Sequence, residues 1–262
     1  ITVKNKAGSQ NTAANSGTAN NQSGSRKYTY DLVVLNRYKL YTGVPIVVYV
    51  KTNDPTFSAA DIQLEKGKKT NVMASYADVR YVGNYEPNVL YSEYKVSGGY
   101  LVTFETEQAG DNTMLIYGGD SWIPQVVAKE KITVYNFKQA EQTWLKKVLA
   151  QETNSSMTAD EKMTALAAYV RKNFKYTPSY NGSVVDLVSK KGAYFENYIA
   201  DCITATNIMC NFADLLGLKN EATYAGYLNH YYTTAWISGK AYTYDASPLS
   251  GTGALSRIDY VI

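Results

Sequence analysis

A thiol, an imidazole and a carboxylate occur in that order in the last third of the chain. Cys202 heads the stretch Asp201-Cys202-Ile203-Thr204-Ala205-Thr206-Asn207-Ile208. The only histidine is His230, and Asp245 lies in Tyr244-Asp245-Ala246-Ser247-Pro248. Such a set can run acyl chemistry: the thiolate attacks, the imidazole moves the proton, and the carboxylate holds the imidazole in one tautomer. Helical apolar spacing begins only after Cys202, which predicts the thiol in the first turn of a helix. Backbone N–H groups there have no intrahelical partner and stabilise a thiolate. They also suit an oxyanion on an attacked carbonyl. Asp201 works against the thiolate, so a cationic neighbour is required. Histidine is the residue type that titrates near neutral pH and can serve as that neighbour. The second cysteine, Cys210, falls inside the apolar pattern and reads as a buried small hydrophobe.

The elements that must position these groups follow from periodicity. Ala140, Trp144, Leu145, Val148 and Leu149 give one apolar stripe, a helix over about 138–151. Thr158-Ala159-Asp160-Glu161 is a capping-box sequence, with Met163, Leu166, Ala167 and Val170 behind it and an end near Phe174. Tyr176-Thr177-Pro178 is extended, because proline pushes its predecessor out of the helical region. A short helix over 184–189 comes next. The helix carrying Cys202 takes its apolar face from Ile203, Ala205, Ile208, Met209, Phe212, Leu215 and Leu216, and Gly217 stops it. Strands follow over 222–227, 230–237 and 240–245, with a last one over 256–261. If Ser238-Gly239 is a two-residue hairpin loop, Asp245 faces Tyr232 and is the diagonal neighbour of His230. Diagonal backbone separations of about 7 Å are within reach of two leaning side chains. One residue more or less in the loop would turn Asp245 to the other face.

Before residue 137 the period is two rather than 3.6. Tyr28, Tyr30, Leu32 and Val34 alternate, then Ile46, Val48 and Val50. Turns are expected at Asn53-Asp54-Pro55, Lys66-Gly67-Lys68-Lys69, Gly98-Gly99 and Ala109-Gly110-Asp111-Asn112. Further strands are expected over 71–82, 90–94, 101–106, 113–117 and 131–135. The overall expectation is an α+β chain. Residues 27–136 are an immunoglobulin-like β-sandwich acting as a binding or spacer domain, and 137–262 carry the chemistry. Residues 1–26 are polar and low in complexity and read as a disordered linker.

Composition narrows the function classes. The chain has 262 residues, 45% of them hydrophobic, and a net charge of +3 from 26 basic and 23 acidic side chains. That near balance, without a basic run or patch, excludes a nucleic-acid footprint. No run of eighteen apolar residues predicts a transmembrane span. The 25 tyrosines fit half-buried sheet faces, with aromatic platforms for sugars or peptides as the other reading. Cys202 and Cys210 stand about 12 Å apart along one helix axis at 1.5 Å per residue, which excludes a disulfide between them and a shared zinc ion. Gly251-Thr252-Gly253 lacks the length and lysine of a phosphate loop. No metal or other cofactor is implied. The polar leading stretch, the start without methionine and the scarcity of cysteine point to a secreted or cell-surface protein.

The words Asp201-Cys202 with Ala205, Leu215-Leu216-Gly217-Leu218, Ala225-Gly226-Tyr227, His230 and Gly239-Lys240-Ala241-Tyr242-Thr243-Tyr244-Asp245-Ala246 resemble the transglutaminase-like superfamily. The likeness is to its bacterial surface or secreted members and runs over about residues 139–248. The resemblance implies a papain-like cysteine-proteinase core, with Cys202 as nucleophile, His230 as base and Asp245 as orienter. It departs at Ala200, where the family has glycine, and at Tyr231 and Tyr232, where it has a small residue and tryptophan; tryptophan here waits until Trp236. The superfamily includes protein cross-linking acyltransferases, peptidases and amidases. The expectation is a peptidase or amidase acting on protein or peptide, including cell-wall peptide. The alternatives are a glutamine cross-linking transglutaminase and a non-catalytic surface module with a decayed triad. Tyr176 is a candidate second oxyanion donor.

Overall fold

The computed structural model describes residues 28–36, 38–57, 62–66, 69–73, 76–82, 99–118, 125–176 and 192–248. The expected linker at 1–26, strands at 90–94 and 256–261, the short helix at 184–189 and Gly251-Thr252-Gly253 lie outside them. The fold is a mixed one of several small sheets and helices.

Among the described residues, nine strands precede the helix that begins at Phe137: β1 Tyr30–Val34, β2 Leu40–Tyr41, β3 Ile46–Thr52, β4 Ile62–Lys66, β5 Lys69–Met73, β6 Tyr76–Val82, β7 Gly99–Glu105, β8 Gly110–Gly118 and β9 Gln125–Tyr135. They form a sheet of order β1-β3-β7-β6 and another of order β2-β9-β8-β4-β5. Pairing is antiparallel throughout except for β2 on β9, which is parallel. Ile46, Val48, Val50 and Phe104 from the first sheet meet Leu64, Met114, Ile116, Ile132 and Val134 from the second in one apolar cluster. In β3 the intervening Val47 and Tyr49 are buried as well, so this central strand is covered on both faces. Burying side chains of this size is worth about 1.5–3 kcal/mol each.

Several sequence boundaries shift. Gly110, Asp111 and Asn112, expected as a turn, begin β8. The reason is buried Asn112, whose Nδ2 donates to the carbonyls of Gln108 (3.2 Å) and Gly110 (2.8 Å) and closes the turn earlier. β9 starts six residues before the expected 131 because the charged run Lys129-Glu130-Lys131 hides its alternation. The single strand expected over 71–82 is β5 and β6, which belong to different sheets.

The change to helix falls at Asn136, whose side chain accepts from Gln139 N at 2.9 Å and caps α1, Phe137–Glu152. α2, Ala159–Asn173, begins with the full capping box of Thr158 and Glu161. Next come β10, Lys175–Tyr176, a short α3, Tyr194–Asn197, and β11, Ile199–Ala200. Then follow α4, Cys202–Leu215, β12, Lys219–Ala225, a 3-10 turn Gly226–Leu228, β13, His230–Ile237, and β14, Lys240–Tyr244. β12, β13 and β14 make an antiparallel sheet. Its core joins Leu145 and Val148 of α1, Leu166 and Val170 of α2, Ile208, Met209 and Phe212 of α4, and Ala235 and Tyr244 of the sheet. Among the described residues, no helix is long and apolar enough to cross a membrane.

Candidate functional site

α4 starts where the sequence predicts. Asp201 is its extended N-cap, and the Asp201 carboxylate accepts the N–H of Thr204 at 2.7 Å. The cap leaves the first two N–H groups of the helix, those of Cys202 and Ile203, outside its reach. Cys202 is half-buried and reduced. Ile203, expected in the apolar face, is instead 46% exposed.

The packing of α4 sets which end of the sheet the thiol meets. Thr233 Oγ1 in β13 donates to the carbonyl of Thr206 at 3.0 Å and lies 3.7 Å from Cys210 Sγ. Cys202 is four residues before Thr206, hence on the same helical face one turn nearer the N-terminus. β12 leaves the C-terminus of α4 through a turn at Gly217 (φ 70°) and packs back along the helix. A helix of 14 residues and a strand of 7 both span about 20 Å. The far end of β12, where Ala225 pairs with His230, therefore lies toward the N-terminus of α4. Cys202 and His230 thus occupy the same end of the helix–sheet pair. Among the described residues no hydrogen bond joins the two.

His230 and Asp245 are joined directly. Ile237 pairs with Lys240 across Ser238-Gly239, and Thr233 with Tyr244, which is the register the two-residue loop demands. Both loop residues have positive φ, 51° and 79°, as a twisted hairpin turn requires. His230 Nε2 lies 2.9 Å from Asp245 Oδ2. The other oxygen, Oδ1, accepts the N–H of Ser247 at 2.9 Å, so the carboxylate is held at both ends. Asp245 is only 7% exposed. With Nε2 committed to Asp245, Nδ1 is the ring nitrogen left to take a proton. The preceding Tyr244 is fully buried and its hydroxyl donates to Asp160 Oδ1 at 2.6 Å, fixing the strand end from the α2 side.

Tyr176 also belongs here. β10 pairs in parallel with β11, and Tyr176 aligns with Ala200, two residues before Cys202. Burial pushes the Tyr176 hydroxyl up, and the neighbouring Cys202 and Asp201 add to that rise. The phenol is therefore kept in its proton-bearing form close to the thiol. Cys210 is half-buried rather than fully enclosed. Burial pushes its thiol up, while the Thr233 hydroxyl pulls it part of the way back.

A second layer holds the segment before Cys202. Tyr194 Oη donates to Glu141 Oε1 of α1 at 2.6 Å, and Asn211 Nδ2 of α4 donates to the same oxygen at 3.2 Å. No sequence signal marked this trio. Its members are 53 and 70 residues apart in sequence. The arrangement as a whole is consistent with a cysteine–histidine–aspartate acyl-transfer core.

No protein-family model and no curated protein matches the chain. Among solved structures, one described as "Crystal structure of a TGase" is a distant match, with 10% identity and a TM-score of 0.35. It covers 77% of this chain and 48% of that one, so the chain spans about half the length of that structure.

Proposed function

We propose that the chain is a cysteine-dependent enzyme that cleaves an amide bond of a protein or peptide, including cell-wall peptide, through an acyl-enzyme on Cys202. The observation that carries this reading is the His230–Asp245 bond of 2.9 Å at the end of the sheet that meets the first turn of α4. His230 Nδ1 takes the proton of the Cys202 thiol, and the sulfur attacks the amide carbonyl. The carbonyl electron pair moves onto oxygen, where the N–H of Cys202 and the hydroxyl of Tyr176 hold it. As the carbon–nitrogen bond breaks, the imidazolium gives its proton to the departing amine. Water then loses a proton to His230, attacks the thioester, and the thiol leaves reprotonated.

We also infer that residues 27–136 form an immunoglobulin-like β-sandwich and that residues 137–262 carry the chemistry. Lettered in chain order with β2 as A′ and β5 as C′, the sheets run A-B-E-D and A′-G-F-C-C′, an order that supports this reading.

Alkylation of the folded full chain at pH 7, with peptide mapping, tests the reading. Cys202 is expected to label at least about tenfold faster than Cys210, and His230→Ala to remove that advantage. Equal, slow labelling of both thiols that His230→Ala leaves unchanged would sink it. Mass analysis of a glutamine peptide with and without a primary amine then separates hydrolysis from transfer.

A further inference from the structure

The segment that delivers Cys202 is also gripped by the β-sheet region. Glu196, in α3, uses both carboxylate oxygens on residues far back in the chain. Oε1 accepts from Tyr41 Oη at 2.7 Å and Oε2 from Lys39 N at 3.2 Å. Tyr41 lies in β2, which is itself paired with the end of β9, so the anchor is part of a sheet rather than a free loop. The Tyr41 ring is buried edge-on to Phe195, with centroids 5.3 Å apart. Burial and the Glu196 carboxylate keep the Tyr41 hydroxyl protonated. Two residues after Glu196, Tyr198 reverses the chain, and its carbonyl accepts from Lys175 N at 2.8 Å. β11, Asp201 and Cys202 follow at once.

We propose that Glu196 is a positioning residue for the nucleophile, and that through Tyr41 and Lys39 the sheet region is part of the machinery that sets Cys202 rather than a separate spacer. The proposal rests on the acyl-transfer reading of Cys202. A carboxylate accepting from a buried hydroxyl makes a charge-assisted bond, stronger than a neutral one. Its loss loosens α3 on the sheet side, leaving the Lys39 N–H bond to Glu196 and the Phe195 ring contact there, while Tyr194 and Glu141 still hold it on the helix side. The thiol would then sample positions out of line with His230, and misplacement by an ångström is costly in such chemistry.

Tyr41→Phe in the full chain is the test, because it keeps the ring and removes only the hydroxyl. Amide exchange over residues 199–203 is expected to quicken by about tenfold. Cys202 alkylation at pH 7 is expected to slow by a similar factor, and Cys210 alkylation to stay as it was. Glu196→Gln, which keeps an acceptor oxygen, is the milder variant should Tyr41→Phe lose its cooperative unfolding. A lower Tm with unchanged exchange over 199–203 and unchanged Cys202 labelling, in a protein where His230→Ala does slow that labelling, overturns the proposal. Faster exchange in Tyr41→Phe, with Cys202 labelling unmoved there and in His230→Ala, supports the tether and overturns the acyl-transfer reading instead.

Discussion

The first and third turns of α4 each carry a cysteine, and the two thiols live in opposite surroundings. Cys202 stands at the helix N-terminus, beside free-ended N–H groups, Tyr176 and the sheet end that holds His230. Cys210 sits mid-helix, where backbone N–H groups are spent on the helix itself, and its thiol lies 3.7 Å from the Thr233 hydroxyl. Burial makes Cys210 reluctant to ionise. Eight residues along one helix therefore separate the thiol proposed to attack from one whose ionisation burial opposes. Position along the helix, not residue type, makes that difference.

The contrast can be broken most sharply by deletion. Cys202→Ala is expected to abolish amide cleavage, a loss beyond about a thousandfold, while Cys210→Ala leaves the rate within about twofold, as measured by peptide turnover. Equal losses in the two variants would dissolve the distinction. Next in size is Tyr176→Phe. Removing one oxyanion donor should lower kcat by about a hundredfold and leave KM nearly unmoved, because the bond forms only in the transition state. A rise in KM at constant kcat would instead make Tyr176 a substrate contact. Smallest is Thr233→Val, which removes the hydroxyl shared by Thr206 O and Cys210. Denaturant unfolding should show a loss of about 0.5–1.5 kcal/mol. Because that hydroxyl pulls the Cys210 thiol down against burial, its removal lets the thiol rise further. Cys210 should then need a more alkaline solution for labelling, with Cys202 unaffected.

Much of this contrast is legible in the sequence because it depends on local signals. Ser238-Gly239 suits a two-residue loop, which the pairing of Ile237 with Lys240 bears out, and that loop fixes which face Asp245 shares with His230. Thr158 and Glu161 announce α2 from four residues. The onset of apolar spacing after Asp201 sets the first turn of α4. Other features have no local signature. Ile203 reads as core by type, yet the face of α4 that meets the sheet runs through Thr206 and Cys210 and leaves it outside. The strand expected over 222–227 stops at Ala225, since Gly226–Leu228 winds into a 3-10 turn and Asn229, with φ 47°, accepts from the Tyr224 hydroxyl at 3.0 Å. Glu196 and Tyr41 are 155 residues apart, and β2 is only two residues long, too short for any period to show. Contacts of that kind become visible only when the sheets and helices are assembled.

Tyr198 shows how narrow the choice of residue can be in the turn that leads to Cys202. Its backbone lies at φ 53°, ψ 44°, a region that costs an ordinary side chain about 1–2 kcal/mol. Its ring packs on Phe174 with centroids 5.1 Å apart. Glycine would relieve the backbone and forfeit the ring. Asparagine tolerates the conformation but offers no aromatic face, and a branched aliphatic residue would fail on both counts. The position therefore answers two demands that pull toward different amino acids, and the chain reversal that leads to Cys202 is tied to an aromatic neighbour at the end of α2.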